Sequence, residues 1–365
     1  MLNEELLARN LPDVLKFKNG KPVLSQDDWY KRRKEIEKLL TNEIFGNEPS
    51  ASYLVEGKEV RYHENAFCGK GIFKEIEIRI IGENFYYAYP CYMALPKQNP
   101  NPPSFLYLSF ASMFYGAEFE CMPVEEIIDQ GYGLISFYYQ EIVPDIFDYF
   151  NNGICSSFAR NPHNGWGKIA MWAWGASRVM DYLQTAEDID KKAVAVMGMS
   201  RLGKTALWAG AMDERFSAVI AVDSGAGGAA LYRGKTGEGI EELVKPERFP
   251  YWFCGNFKKY AGKHETLPVD SHFLLSMAAP RPLYICSAKD DDWSDPKSEF
   301  LGAYGTSKTY ELLGMPGLVT EDAYPSPGAC LHDGTIGYHM RYGTHGLNRD
   351  DWNNIIQFRN KIGTT

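Results

Sequence analysis

The sequence predicts an α/β protein with a mostly parallel central sheet, and two observations support this fold class. From about residue 104 onwards, short apolar segments rich in β-branched and aromatic residues alternate with helical segments. Such alternation is typical of parallel strands joined by right-handed crossovers. Before them, residues 52–95 alternate polar and apolar side chains in three runs, which predicts an antiparallel N-terminal meander. We therefore expect a three-layer sandwich with helices on both faces of the sheet.

Each element is expected from its own local pattern. Residues 26–45 start with a serine and acidic residues and continue with helical spacing, which predicts a capped helix. A rigid turn at 99–103 separates the meander from the alternating part. The expected strands then span 104–110, 133–139, 193–197, 217–223 and 281–288, and the expected helices span 124–132 and 166–186.

Composition and charge exclude several classes of protein. The formal net charge is −9 and no basic stripe is present, which argues against nucleic-acid binding. No apolar run reaches the roughly 18 residues that a membrane span needs.

Without repeats or a low-complexity linker, we expect one domain over 1–365, with a helical lead-in at 1–50 and an insertion at 230–275 near the active site. The sequence does not predict the oligomeric state.

The seven cysteines show neither an even count nor C-x-x-C spacing. This pattern argues against a disulfide framework and against a zinc site, so no metal or cofactor is expected.

The first residues lack a basic segment followed by a continuous apolar one. We therefore expect a cytoplasmic protein, or a secreted one if a leader precedes this sequence.

The segment 191–213 is the most informative part of the chain. A buried strand at 193–197 runs into Gly198, then Ser200, and Gly203 opens a helical segment. Strand, sharp turn with serine at its apex, and helix form the layout of a nucleophile elbow. The spacing is G-x-S-x-x-G rather than the usual G-x-S-x-G, and the motif alone is a weak indication because glycines flank serines in many loops.

A serine nucleophile needs a histidine base, which in turn needs an orienting carboxylate. In an α/β-hydrolase these three follow the order serine, acid, histidine. His345 lies in a glycine-flanked loop just before a final helix, where the base belongs in this layout. We interpret His272, next to an apolar run, as structural, and leave His332 and His339 open.

Two carboxylates are candidates for the orienting acid. Asp291 comes just after the strand 281–288, and Asp223 ends the strand 217–223. Both therefore lie at carboxyl ends of expected strands, where the loops of a parallel sheet gather. A solvated acidic turn is the plainer interpretation of the three consecutive aspartates 290–292.

Several separated motifs resemble one family. MGMSRLGKTALWAGAMDERFSAVIAVDSGAGGAALYR, WGKIAMWAWGASRVMDYL, WFCGNF, LPVDSHFLLSMAAPRPLYI, DDWSDP and GTHG occur in the order found in the glucuronoyl esterases, carbohydrate esterase family 15. The resemblance covers roughly residues 100–360. It implies an α/β-hydrolase fold and a metal-free Ser-His-acid triad. It also implies hydrolysis of the ester between 4-O-methyl-glucuronic acid branches of xylan and lignin alcohols. The partner that it implies is a small-molecule or oligosaccharide uronate ester substrate.

The resemblance also assigns residues around the triad. Ser200 matches the nucleophile and His345 the base. It implies that Arg201 contributes to the oxyanion hole, where a guanidinium would stabilise the charge that grows in the transition state. Lys204 matches the lysine that binds sugar hydroxyls, and Trp293 matches a tryptophan that lines the glucuronate site.

Some positions depart from the family pattern. The acid occupies one of two family positions, here Asp223, where relatives carry a longer glutamate, and Asp291 beside the tryptophan. We favour Asp291 as the orienting acid and keep Asp223 as a supporting carboxylate. Glu241 falls where a sugar-contacting glutamine is expected, and Phe249 where a glutamate is expected.

Two alternatives to a glucuronic acid esterase stay open. The same triad would serve an acetyl xylan esterase or another carbohydrate deacetylase. A non-catalytic glycan-binding scaffold is the alternative from another class, since a fold by itself does not establish a function.

Overall fold

The computed structural model describes residues 1–112, 114 and 121–363. The strands are β1 Tyr53–Ala66, β2 Gly71–Gly82, β3 Tyr86–Pro96, β4 Ser104–Ser109, β5 Gly133–Tyr138, β6 Val194–Met199, β7 Ala218–Val222, β8 Leu283–Ala288, β9 Cys330–Leu331 and β10 Ile336–Arg341. The α-helices are α1 Leu2–Ala8, α2 Gln26–Leu40, α3 Val124–Asp129, α4 Lys168–Leu183, α5 Arg201–Met212, α6 Ile240–Leu243, α7 Ser271–Ser276, α8 Pro296–Leu312 and α9 Arg349–Ile362.

All of these strands join one sheet in the order β1-β2-β3-β5-β4-β6-β7-β8-β10-β9. The pairs β1–β2, β2–β3 and β3–β5 are antiparallel, and the pairs from β5 through β10 are parallel. The predicted meander followed by a parallel sheet is therefore confirmed. Strand β9 adds an antiparallel edge that the sequence did not predict.

Helices cover both faces of the sheet. On one face α4, α5, α7 and α8 pack against the strands, and on the other face α3 and α9 do so. In β6, Val194 and Val196 belong to the hydrophobic core on the α4, α5, α7 and α8 face of the sheet, whereas Ala195 and Met197 belong to the core on the α3 and α9 face. A strand buried on both faces is apolar throughout rather than alternating, which explains its continuous apolar run. The three-layer sandwich is confirmed.

The ends of the predicted helices depend on capping. Ser25 accepts a hydrogen bond from the backbone N–H of Asp28 at 3.2 Å and starts α2, as expected.

The sequence missed α8, in which polar and small residues such as Thr306 and Ser307 are buried together with Phe300 and Leu301. A helix buried on several sides has no single apolar stripe, so helical periodicity does not reveal it.

Among the described helices, none combines the length and the apolar character that crossing a bilayer would require.

Candidate active site

Ser200 stands between β6 and α5 in a strained backbone conformation. Its φ is 57° and its ψ is −128°, a left-handed region that non-glycine residues rarely adopt. Its N–H donates to the carbonyl of Val222 at 2.8 Å, which ties the turn to the end of β7. Strain of this kind persists only where the surroundings enforce it, and it is typical of nucleophile elbows.

The two glycines of the motif allow strand and helix to approach closely. A Cβ on Gly198 would lie 2.1 Å from the carbonyl oxygen of Leu202, and one on Gly203 would lie 3.1 Å from that of Val222. Neither position accepts a larger side chain without moving backbone. The late second glycine therefore performs the same steric function here as the glycine in the usual spacing.

The expected site residues gather at one edge of the sheet. Ser200 follows β6, Asp223 follows β7, Asp291 comes three residues after β8, and His345 lies in the loop after β10. Because these strands are parallel neighbours, their carboxyl ends face the same side. The side-chain ligand atoms of Asp223, Asp291 and His345 lie within 4.8 Å of one another.

Asp291 and His345 form the closest pair at this edge. Nδ1 of His345 lies 2.7 Å from Oδ2 of Asp291, and the N–H of Ser294 donates to Oδ1 at 3.1 Å. Burial raises the pKa of Asp291, but the hydrogen bonds from His345 and Ser294 outweigh burial and leave the pKa below its ordinary value. Burial lowers the pKa of His345, but its bond to Asp291 and the charges of Asp291 and Asp223 leave it raised. An ionised carboxylate therefore faces this imidazole.

Within the described residues, the hydroxyl of Ser200 makes no hydrogen bond, so the structure does not join it directly to His345. Both groups lie at the same edge, and catalytic hydrogen bonds often form only when substrate binds.

Asp223 is the most buried of the candidate residues, at 1 % exposure. The N–H of Ala288 donates to Oδ1 at 2.8 Å, and the N–H of Gly346 and the guanidinium of Arg341 donate to Oδ2 at 3.0 and 2.8 Å. Burial raises the pKa of Asp223 to about 7, and Arg341 and Gly346 offset only part of this rise. The carboxylate therefore holds the backbone beside His345 rather than the imidazole itself.

Glu299 is a fully buried carboxyl group that the sequence analysis missed because α8 was not predicted. Ser287 donates to it at 2.6 Å, the N–H of Gly225 at 2.9 Å and Ser224 at 3.2 Å. Burial raises its pKa, and the nearby charge of Asp223 raises it further. The hydrogen bonds from Ser287 and Gly225 oppose this rise only in part, so the pKa of Glu299 stays above its ordinary value.

Arg201 is the first residue of α5 and projects into an aromatic setting. Its guanidinium pairs with Asp145 and lies 4.8 Å from the ring centre of Trp252 and 5.5 Å from that of Phe249. The indole N–H of Trp252 donates to the other oxygen of Asp145 at 2.7 Å. The salt bridge with Asp145 and the neighbouring aromatic rings thus hold the guanidinium in one position. No motif in the sequence indicates Asp145.

Lys204 lies one helical turn after Ser200 and is buried. Its ammonium donates to Glu238 and to the carbonyl of Ser224, each at 2.8 Å. The N–H of Glu238 donates to the carbonyl of Trp293, so hydrogen bonds connect Lys204, Glu238 and Trp293. Trp293 is 38 % exposed, and the guanidinium of Arg248 lies 5.1 Å from its ring centre.

The segment 230–275 supplies several of these neighbours. Glu241 lies exposed on α6, three residues beyond the glutamate that meets Lys204. Phe249 stacks on Trp252 with ring centres 3.8 Å apart. Sequence reasoning missed Glu238, since an acidic residue in a glycine-rich segment carries no signal of its ion pair.

The other histidines lie elsewhere. His272 is buried on α7 with Nε2 3.0 Å from the carbonyl oxygen of Pro12. His332 and His339 both hydrogen-bond to the hydroxyl of Tyr284 at 2.8 Å. None of them reaches the edge at which Ser200 lies.

The parallel sheet, the serine elbow and the histidine–carboxylate pair beyond it define the class of the α/β-hydrolases. A family model described as "Glucuronyl esterase, fungi" matches residues 123–314. Carbohydrate esterase MZ0003, from an unknown prokaryotic organism, is 36% identical over 95% of this chain and 88% of its own length. The glucuronoyl esterase of Solibacter usitatus superimposes with a TM-score of 0.88 at 35% identity, covering 96% of this chain and 97% of that one.

A third similar protein has been solved with a ligand. It is a glucuronoyl esterase mutant from Sporotrichum thermophile in complex with methyl 4-O-methyl-β-D-glucopyranuronate. It is 25% identical with a TM-score of 0.66, over 82% of this chain and 77% of that one. The present chain belongs to the glucuronoyl esterases of carbohydrate esterase family 15 and is a carboxylic ester hydrolase.

The expectation of a cytoplasmic protein is wrong, because members of this family are extracellular enzymes that act on plant cell-wall polysaccharides. Cys91, Cys155, Cys254 and Cys286 are buried free thiols. A buried thiol behaves as a small apolar side chain, so its oxidation state does not report the compartment.

Proposed function

We propose that this protein hydrolyses esters of glucuronic or 4-O-methyl-glucuronic acid through an acyl-enzyme on Ser200. The observation that carries the proposal is the strained serine at the sheet edge that also bears the 2.7 Å pair of His345 and Asp291. Beside them lies the buried pair of Lys204 and Glu238. The family membership supports the choice of substrate.

Asp291 determines which nitrogen of His345 acts as base. An ionised carboxylate at Nδ1 accepts a hydrogen bond there, so Nδ1 carries the proton and Nε2 keeps its lone pair. Nε2 takes the proton of Ser200 as Oγ attacks the ester carbonyl. The tetrahedral oxyanion forms beside Arg201 and the free N–H groups at the start of α5.

Collapse of this intermediate breaks the bond to the alcohol, which leaves with the proton from His345. Water then attacks the acyl-enzyme as His345 takes its proton, and His345 returns this proton to Oγ of Ser200 when the bond between Oγ and the acyl carbon breaks and the uronic acid is released. The ester is neutral, whereas the product carries a carboxylate.

Lys204 and Glu238 are proposed to bind sugar hydroxyls. The ammonium has three donors and the carboxylate two acceptor oxygens, so a vicinal diol can donate to one and accept from the other. Trp293, more than a third exposed, offers an apolar face to the sugar ring. An acetyl ester has no uronic ring to place against these groups.

The test compares benzyl D-glucuronate with p-nitrophenyl acetate as substrates. We expect wild-type enzyme to cleave the glucuronate ester and Ser200→Ala to lose at least about 10⁴-fold in kcat. The double variant Lys204→Met/Glu238→Gln removes both charges together, so neither is left buried alone. It should reduce kcat/KM for the glucuronate at least about tenfold more than for the acetate.

Other results would separate the alternatives. Cleavage of the acetate alone would favour the deacetylase hypothesis. Equal losses on both substrates in the double variant would contradict the role of Lys204 and Glu238. If neither ester is cleaved and a fluorophosphonate fails to label Ser200, the binding scaffold becomes the better hypothesis.

A further inference from the structure

Arg341 is the last residue of β10, and its guanidinium joins three separate parts of the site edge. Nη2 donates to Oδ2 of Asp223 at 2.8 Å and to the carbonyl oxygen of Gly346 at 2.6 Å. Nε lies 3.1 Å from Oδ2 of Asp351, in the first turn of α9. One planar cation therefore connects the end of β7, the loop that carries His345, and the helix that follows.

The loop between β10 and α9 needs such a tether. It contains Gly343, whose φ is 97°, and Gly346, and His345 between them is 38 % exposed. Glycines give a loop many accessible conformations. The bonds from Asp223 and Arg341 to the N–H and C=O of Gly346 select one of them.

We propose that Arg341 is a positioning residue for ester hydrolysis. Together with Asp223 it fixes the backbone at Gly346 and so aims Nε2 of His345 at Ser200. Asp223 thus acts through the loop, while Asp291 acts on the imidazole. The inference rests on the proposed roles of Ser200 and His345.

The charges around Arg341 explain why the guanidinium is suited to this position. Asp223 and Asp351 are both at least 99% buried, and each would be costly to leave without a cation. The guanidinium donates hydrogen bonds to Asp223 and to a carbonyl and lies within ion-pair distance of Asp351, whereas a lysine is a single point charge. Arg341→Lys should therefore keep part of the charge balance and lose part of the geometry.

The experiment measures kcat, KM and Tm with benzyl D-glucuronate on the full chain. We expect Arg341→Met and Asp223→Asn each to lose about 10- to 100-fold in kcat, the range that a small misplacement of a catalytic group produces. KM should stay within about threefold, because these side chains act on the catalytic histidine and not on the sugar. Arg341→Lys should recover part of the lost kcat.

If Arg341→Met alone folds poorly, the double variant Asp223→Asn/Arg341→Met also removes the charge of Asp223, while Asp351 keeps its contact with His339. Its loss in kcat should match that of one single variant, since both residues act through the same loop. Losses that multiply would show independent roles and overturn the proposal.

Arg233 provides a matched control. Its side chain has the same 9 % exposure as that of Arg341, and it pairs with Asp270 and with carbonyls of the segment 265–269 instead of the His345 loop. Arg233→Met should lower Tm and leave the kcat of the folded enzyme within about twofold, as expected when a residue only stabilises the fold. An equal loss of kcat in both variants at equal Tm would also overturn the proposal.

Failure of the proposed function has a different signature. In that case wild-type enzyme would not cleave the ester, or Ser200→Ala would retain activity, whatever Arg341 does. If wild-type is active and depends on Ser200 while Arg341→Met retains full kcat, only the positioning role is wrong.

Discussion

The structure contains two histidine–aspartate pairs of nearly equal length, and they differ in what surrounds the second ring nitrogen. His345 and Asp291 are 2.7 Å apart, and His339 and Asp351 are 2.8 Å apart. His345 is 38 % exposed with Asp291 on Nδ1, whereas His339 is 1 % exposed. Nδ1 of His339 is already bonded to Tyr284. A histidine–carboxylate pair acts as a base only when the other nitrogen is left available to a nucleophile.

The buried pair belongs to a hydrogen-bonded cluster. Sγ of Cys286 lies 3.0 Å from both Nε2 of His339 and Oδ1 of Asp351. Two ligands of a tetrahedral zinc ion, at about 2.0 and 2.3 Å from the metal, would stand about 3.5 Å apart. The observed separations are those of hydrogen bonds, so this cluster is best described as structural.

The largest expected effect comes from exchanging each histidine for glutamine. His345→Gln should lose at least about 10⁴-fold in kcat, because glutamine cannot accept the proton of Ser200. His339→Gln keeps an N–H for Asp351 but loses the bond to Tyr284, so it should cost about 1–3 kcal/mol of stability and leave kcat within about threefold. Steady-state kinetics and thermal unfolding of both variants check this contrast. A large loss of kcat in folded His339→Gln would show that the two pairs are not separate.

The second largest effect on kcat should distinguish the two candidate acids, Asp291 and Asp223. Asp291→Asn places an amide against Nδ1 and favours the wrong tautomer, which should cost about 10³- to 10⁴-fold in kcat. Asp223→Asn should cost at least about tenfold less, because this residue contacts the loop and not the ring. Single-turnover kinetics of both variants measure the chemical step directly. The reverse order would identify Asp223 as the orienting acid.

The smallest effect is a shift in pH dependence. The base must be neutral, so kcat/KM should fall with decreasing pH below the raised pKa of His345, at a midpoint above the ordinary value of about 6.5. In Asp291→Asn, burial still lowers the pKa of His345, but the hydrogen bond to a carboxylate no longer raises it. The acidic limb of the kcat/KM profile should therefore move to lower pH. A profile of kcat/KM between about pH 5 and pH 9 for both enzymes tests this shift.

The contribution of His345 to folding stability should change with pH in the direction opposite to activity. A raised histidine pKa stabilises the folded state at low pH, and this contribution is lost as the pH rises through that pKa. The lowered pKa of Asp291 stabilises the fold above the ordinary carboxyl range and is lost on acidification. A stability profile without any change near the activity limb would contradict the ion pair.

By itself, the sequence determined the elements whose signals are local. The apolar run of β6, the glycines at 198 and 203 and the serine between them predict the elbow because sterics act over neighbouring residues. The same holds for the meander of β1 to β3 and for the capped start of α2. The order serine, acid, histidine along the chain also selected Ser200 and His345 and left Asp223 and Asp291 as candidate acids.

Only the tertiary structure decided which carboxylate meets which partner. Asp223 and Asp291 have similar positions in sequence, yet one lies against Arg341 and Gly346 and the other against His345. The partners of Arg201 and Lys204, which are Asp145 and Glu238, lie 56 and 34 residues away along the chain. Ion pairs depend on distances of a few ångströms and on burial, and both are fixed by packing rather than by local pattern.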